Sequence, residues 1–166
     1  FAKDKKFWDD QLDTLGEPLY SDIQGPSVLE EARKRHGNPK LRSSDIEMKD
    51  LFVAVKDYYL EPEPTKNLMD FCMNHQLSMT NLLLLGIRTY LSKVNNGQED
   101  ITIQNFISRR STHDEWTSGG SRTIMFPCRT VIAPETDFLS AAYEIQNMQN
   151  RIYMHSNYDP AFIMDE

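Results

Sequence analysis

Cysteine is scarce in this sequence: Cys72 and Cys128 are the only 2 in 166 residues. They lie too far apart to form a Cys-x-x-Cys pair, so neither a zinc knuckle nor a dithiol redox motif is present, and a reducing, cytoplasmic setting is expected. Long apolar runs are missing as well. Nothing approaches the roughly 20 consecutive apolar residues that a membrane helix needs, and no membrane partner is expected. Positive charge is in deficit, with 18 Lys and Arg against 25 Asp and Glu for a net charge of −7. Sequence-independent binding to nucleic acid or to anionic lipid depends on clustered basic residues, so both are disfavoured. His36, His75, His113 and His155 are scattered. None has the His-x-x-x-His or His-Glu-x-x-His spacing that sets two ligands on one helix face, and no metal is expected. The patterns Gly-x-Gly-x-x-Gly, Gly-x-x-x-x-Gly-Lys-Ser/Thr and Gly-x-Ser-x-Gly are all absent, which removes the usual phosphate cradles and the nucleophile turn. There is no initiator Met, and Phe1 to Leu12 has no apolar stretch with a cleavage site, so it is not a signal peptide. That start and the finish at Phe162 to Glu166 are expected of a segment cut from a longer chain.

What remains, 39% hydrophobic and 26% charged, is the composition of an ordinary globular protein, one domain by length or a large part of one. Phe7, Trp8, Leu12 and Leu15 fall near one face of a helix over 3–15, stopped by Gly16-Glu17-Pro18. From Leu19 to Ile46 the pattern weakens, with one short helix at Val28 to His36 closing on Gly37, and the region reads mostly as connection. Glu47 to Tyr58 sets Leu51, Val53 and Val55 against Phe52 and Ala54, which predicts a strand buried on both faces. Glu61-Pro62-Glu63-Pro64 opens a helix with Leu68, Phe71 and Cys72 inside. Ser78 is placed to cap the next helix, whose run from Leu82 to Leu85 narrows to a stripe of Ile87, Tyr90, Leu91 and Val94 before Asn95-Asn96-Gly97 stops it. Asp100 to Ile132 then reads as two strands around a polar loop from Ser111 to Gly120. The first strand carries Ile101, Ile103, Phe106 and Ile107, and the second runs from Ile124 to Ile132. A last helix, opened by Pro134 and Thr136, carries Phe138, Ala142, Ile145, Met148 and Ile152 to about His155, and Tyr158-Asp159-Pro160 ends it. The succession is α/β rather than a helix bundle.

A loop at the end of two buried strands is where function tends to collect. In it, His113 stands beside Asp114 and could be oriented as a general base is by a carboxylate; the competing reading is a solvated turn. His75 lies near a helix end, where the dipole favours a cation. Arg109 and Arg110 close the first strand, and alternation sends one toward the interior or a cleft and the other to solvent, with a structural ion pair expected. Arg129 is a charge embedded in the apolar run Phe126 to Val131. It needs a partner, which this reading allows to lie outside the chain. Gly119-Gly120 marks either a flexible turn or a close approach of backbone to a ligand.

Several segments resemble one family. Leu77 to Leu85, Tyr90-Leu91, Asn96 to Ile101 and Ser108-Arg109-Arg110 resemble the second half of nonribosomal peptide synthetase condensation domains, which often reads gvTlndlll...yL...gqeDv...pvsgR. Phe7-Trp8 to Leu12 resembles the family's yW...L segment. Gly120 to Arg129 resembles vGxFvNtlplR, keeping Gly120, Pro127 and Arg129, and His155, Asn157, Tyr158 and Pro160 echo HqdyPfe with Asp159 as an extra residue. Two departures stand out: Thr123-Ile124-Met125 occupies the place of Val-Asn-Thr, and Arg122 that of Phe.

The resemblance implies a chloramphenicol acetyltransferase-like fold, an α/β (α+β) sandwich in which a mixed sheet is backed by helices. Residues 1–166 are expected to form the C-terminal lobe of a condensation domain, with 1–46 connecting the lobes and 47–166 making the sheet-and-helix core. It further implies an acyl- or aminoacyl-transferring enzyme that makes a peptide bond between a donor and an acceptor held on the phosphopantetheine arms of peptidyl carrier proteins, with no cofactor bound directly. The implied partners are the N-terminal lobe, the carrier proteins and adjacent synthetase domains. The family's diagnostic His-His-x-x-x-Asp-Gly belongs to the other lobe and does not occur in these 166 residues. No catalytic residue is therefore assigned here, and the chain alone is expected to be inactive. Arg110, Gly120, Ile124 and Arg129 are the positions carried over, as structural pairing groups first and substrate-tunnel groups second. The rivals are a relative on the same fold that epimerises, cyclises or makes an ester, and a non-catalytic carrier-docking domain.

Overall fold

The computed structural model describes residues 2–12, 15–16, 19–41, 54–110 and 112–164. At its centre, β1 (Asp100–Ser108) and β2 (Thr123–Val131) pair antiparallel, from Asp100 opposite Val131 to Ser108 opposite Thr123. Side chains alternate across a strand. One face therefore carries Ile101, Ile103, Asn105 and Ile107 with Thr130, Cys128, Phe126 and Ile124, and the other carries Asp100, Thr102, Gln104 and Phe106 with Arg129, Pro127 and Met125. Ile101, Ile107, Phe126 and Cys128 are buried while Phe106 is 66% exposed, which makes the first set the inner face.

The helices cover that inner face. Helix α6 (Phe138–Met154) lays Ala141, Ala142, Ile145 and Ile152 against it, and Asp137 caps its start by accepting from the Ser140 amide. The cap lies one residue past Thr136, which leaves Phe138 exposed at the entrance. Helices α3 (Pro62–Asn74) and α4 (Met79–Val94) pack beside it: Phe71, Leu77, Leu84, Leu85 and Ile132 join Ala141, Ala142 and Ile145 in one apolar cluster. Ser78 caps α4 through the Asn81 amide, as its position predicts. A second cluster gathers Phe7 and Trp8 of α1 (Ala2–Leu12) with Ile107, Phe126, Cys128, Ile152, Tyr158 and Ile163. Trp8 stacks on Phe126 with centroids 5.2 Å apart, so the N-terminal helix supplies core. Ile103 touches both clusters and makes the interior continuous.

Helix α2 (Pro26–His36) closes on Gly37 as expected and buries Leu29 and Ala32. Just before it, Gly25 has φ +96°, and a Cβ there would come within 3.0 Å of the Val94 carbonyl oxygen. Only glycine lets the chain pass so close to the end of α4. Asn95 holds the same junction, donating to the Asp22 and Leu91 carbonyls and accepting from the Asp22 amide.

Two expectations change. Residues 47–53 of the strand expected at Glu47 to Tyr58 lie outside the described residues. Ala54 to Tyr58 form no strand and are exposed, Val55 by 83%. Strand propensity needs a ladder partner to act on, and none is paired with this segment among the described residues. On α4 the buried stripe is Asn81, Leu82, Leu84, Leu85 and Arg88, while Leu83, Ile87 and Tyr90 point outward. Both sets satisfy the helical period, so spacing alone could not choose between them.

Candidate functional site

The chain between β1 and β2 is organised by Arg110. Its Nη1 donates to the carbonyls of Glu115 and Ser118, the latter at 2.9 Å, and its Nη2 donates to the carbonyl of Gly120. Arg109 turns the other way, to the Ser156 carbonyl at 3.0 Å beyond α6. The two arginines thus diverge, but both are half-buried, so neither is the solvent-facing one that alternation predicts, and among the described residues their acceptors are carbonyl oxygens and the Ser118 hydroxyl, with no carboxylate. Gly120 takes φ +87°, and a Cβ there would meet nothing within 4 Å. Backbone conformation, not crowding, is what calls for glycine at this position.

The loop contains a helix that its polar composition concealed, α5 (His113–Thr117). Thr112 Oγ1 accepts from the Glu115 amide and Glu115 Oε2 accepts from the Thr112 amide, a reciprocal cap. Thr-x-x-Glu was the signal for it. Glu115 also pairs with Arg122 at 2.6 Å, which braces α5. His113 and Asp114 are both exposed in the first turn of α5. Neighbouring residues on a helix do not face each other, so Asp114 does not orient His113 and the solvated reading holds for this pair. Trp116, in the same turn, is 66% exposed.

At the opposite end of β2 sits Arg129, 3% exposed. Its Nε and Nη2 donate to the Asp100 carboxylate at 2.9 and 2.5 Å, Nη1 to the carbonyls of Gln11 and Gly16, and Nη2 also to that of Leu15. The partner is therefore inside the chain. A guanidinium has five N–H donors, and all are used, binding the end of α1 to both strands. Beside it opens a cleft of about 650 Å³ between α1, β2 and α6, lined by the charged Asp10, Glu144 and Arg151 and by the apolar Met148 and Val131 among others. Ile124 lies between these two ends of β2, half-buried against the cluster around Trp8. Arg110 and Gly120 are thus in direct contact, while Ile124 and Arg129 are separated by five residues of strand, roughly 16 Å.

Three polar features were missed by sequence reasoning. Arg88 of α4 is 5% exposed and donates through Nη2 to the carbonyls of Glu99 and Ile132, holding the start of β1 to the end of β2. Burial lowers its pKa, against the pull of Glu144, Asp100 and Glu99. Gln149 of α6 accepts from Asn105 at 2.6 Å and donates to Cys128 Sγ at 3.2 Å; burial pushes the Cys128 thiol up to about 11. His155 bonds Asp4 at 2.9 Å and stacks on Phe7, and its carbonyl accepts from Trp8 Nε1. The hydrogen bond to His155 holds the Asp4 carboxyl below its ordinary value. His75 terminates α3 and leans on Phe71. No group of three metal-ligating side chains occurs among the described residues, nor is any helix there long and apolar enough to cross a membrane.

The family model for the condensation domain matches residues 1–165. A plipastatin synthase protein of Bacillus subtilis (strain 168) is 22% identical over 167 residues, spanning all of this chain and 6% of that protein. Two solved structures of the first condensation domain of the calcium-dependent antibiotic synthetase, one in complex with a substrate analogue, superpose with a TM-score of 0.71 at 15% and 14% identity. Each covers 97% of this chain, which spans 32% and 31% of theirs. The chain therefore spans about a third of the solved chains it resembles, and it shares their chloramphenicol acetyltransferase-like fold.

Proposed function

The chain belongs to the condensation-domain family, and on that premise we propose that the protein carrying it forms an amide bond between an acyl donor and an amine acceptor, each held as a phosphopantetheine conjugate of a peptidyl carrier protein. The match of the family across residues 1–165 is the observation that supports this most. In this reading the 166 residues form one wall of a substrate tunnel and the N-terminal lobe forms the other. Holding two tethered reactants in one channel replaces a bimolecular encounter by an intramolecular one, an effect worth roughly 7–11 kcal/mol at best. The His that acts as base or orienting group is assigned to the partner lobe, since no His-His-x-x-x-Asp-Gly run lies in these residues. Arg110 fixes the Gly120 carbonyl and stiffens the rim of the channel, Ile124 packs on the core cluster behind that rim, and Arg129 keeps α1 against β2.

The test is a single-turnover assay of the complete protein with a donor-loaded and an acceptor-loaded carrier, read by mass spectrometry of the acceptor arm. Amide product on the acceptor is the expected result, and the isolated 166 residues are expected to give none. An inverted stereocentre, a cyclised product or an ester would assign the chain to a different reaction on this fold. A second reading, a carrier-docking domain without catalysis, is favoured by Ile124 alone, because an isoleucine cannot hydrogen-bond a substrate as the usual asparagine amide does. Tight carrier binding with no product from the complete protein would select it.

A further inference from the structure

Between α1, the sheet and α6 lies a cavity of about 20 Å³ whose walls include Trp8, Gln11, Thr102, Pro127, Arg129 and Met148. Two polar atoms of its lining residues, Gln11 Oε1 and Thr102 Oγ1, are buried and have no hydrogen-bond partner in the protein. Arg129 has nothing left to offer them, because all five of its N–H groups go to Asp100 and to the carbonyls of Gln11, Leu15 and Gly16. Buried polar atoms are overwhelmingly satisfied, by protein or by ordered water.

We infer that this cavity is a binding site for one ordered water molecule that bridges Gln11 and Thr102 and so joins α1 to β1. The size suits a single water: a site needs about 10–15 Å³ to admit one, and the cavity's 20 Å³ meets that with little to spare. The chemistry is complementary. The Thr102 hydroxyl donates to the water oxygen, and a water O–H donates to Gln11 Oε1, giving the two polar partners that a buried water requires. Access is provided as well, since Gln11, Arg129 and Met148 also line the 650 Å³ cleft. The water thus sits beneath the cleft floor, beside the guanidinium that clamps the end of α1.

The inference is tested on the complete protein by a high-resolution crystal structure and by a thermal double-mutant cycle. One density peak within hydrogen-bond distance of both atoms is expected. Thr102→Val keeps the shape but removes the donor, and is expected to lower the melting temperature by about 2–4 °C. In a Gln11→Met background the same change is expected to cost less, because the bridge is already broken. Thr102→Ser keeps the hydroxyl and is expected to keep the peak. A site without density, or Thr102→Val melting at or above the wild type as a dry orphaned hydroxyl predicts, overturns the assignment.

Discussion

Arg129 and Asp100 meet diagonally across the β1–β2 ladder. Thr102 is the residue opposite Arg129, yet the guanidinium reaches the carboxylate two positions away on the same face. Diagonal neighbours on a sheet lie within reach of long side chains, and the remaining donors of this one hold the carbonyls that follow α1. A single residue therefore closes two junctions, strand to strand and helix to strand.

Removing Arg129 leaves a buried carboxylate without its counter-charge and three carbonyls without donors. Arg129→Met is expected to destabilise by about 3–5 kcal/mol, measured as a lower urea midpoint. Adding Asp100→Asn should return part of that loss, so the double variant is more stable than the sum of the singles. Arg129→Lys should recover only a fraction, because an ammonium has three donors and no planar fork. Additive effects of the two single changes would show that the pair is not coupled.

Acid should loosen the contact between α1 and the end of α6. The Asp4 carboxyl is held below its ordinary 3.8 by the hydrogen bond to His155. A carboxylate whose folded pKa is depressed stabilises the fold fully above the unfolded value and loses that contribution as pH falls through the folded one. Wild-type stability should therefore drop more steeply than that of Asp4→Asn below about pH 4. Parallel curves for the two proteins in acid denaturation would count against the contact.

Gln149, 2% exposed, sits in the core because Asn105 and Cys128 satisfy it. Gln149→Leu should cost about 1–3 kcal/mol by stranding the Asn105 amide, and Asn105→Val in that background should restore much of the loss. Calorimetry on the four proteins reads this directly. The Cys128 thiol, raised to about 11, should resist alkylation in folded protein near neutral pH and react only on unfolding.

These polar joints mark the limit of what the sequence revealed. Caps and stops were legible because their chemistry is local: Ser78 before α4, Pro62 at the start of α3 and Gly37 after α2 each act within about four residues. The inner face of the sheet was legible through Ile101 and Ile107. Arg88 was not, because an arginine on a helix is buried only if distant carbonyls wait for it, and Glu99 and Ile132 lie 11 and 44 residues away. The same reason hid Asp100 as the partner of Arg129. Among the proposed site residues, sequence position could flag Arg110 and Gly120 separately, but only the folded loop brings them into contact.

That contact supports a sharper expectation about the rim loop. Arg110 ties together the carbonyls of Glu115, Ser118 and Gly120, three points of one loop, from a position at the end of β1. Loop residues contribute little to the buried core, so losing the guanidinium should leave global stability nearly unchanged while local opening becomes easier. In Arg110→Ala, amides from 112 to 121 should exchange with deuterium several-fold faster and those of β1 and α6 at the wild-type rate. Arg110→Lys should restore one anchor at most, since a single ammonium cannot span acceptors that the planar fork reaches together. Glu115→Gln separates this effect from the neighbouring ion pair, because it weakens the contact with Arg122 but leaves the Glu115 carbonyl for Arg110. Protection that survives Arg110→Ala but falls in Glu115→Gln would transfer the organising role from the arginine to α5.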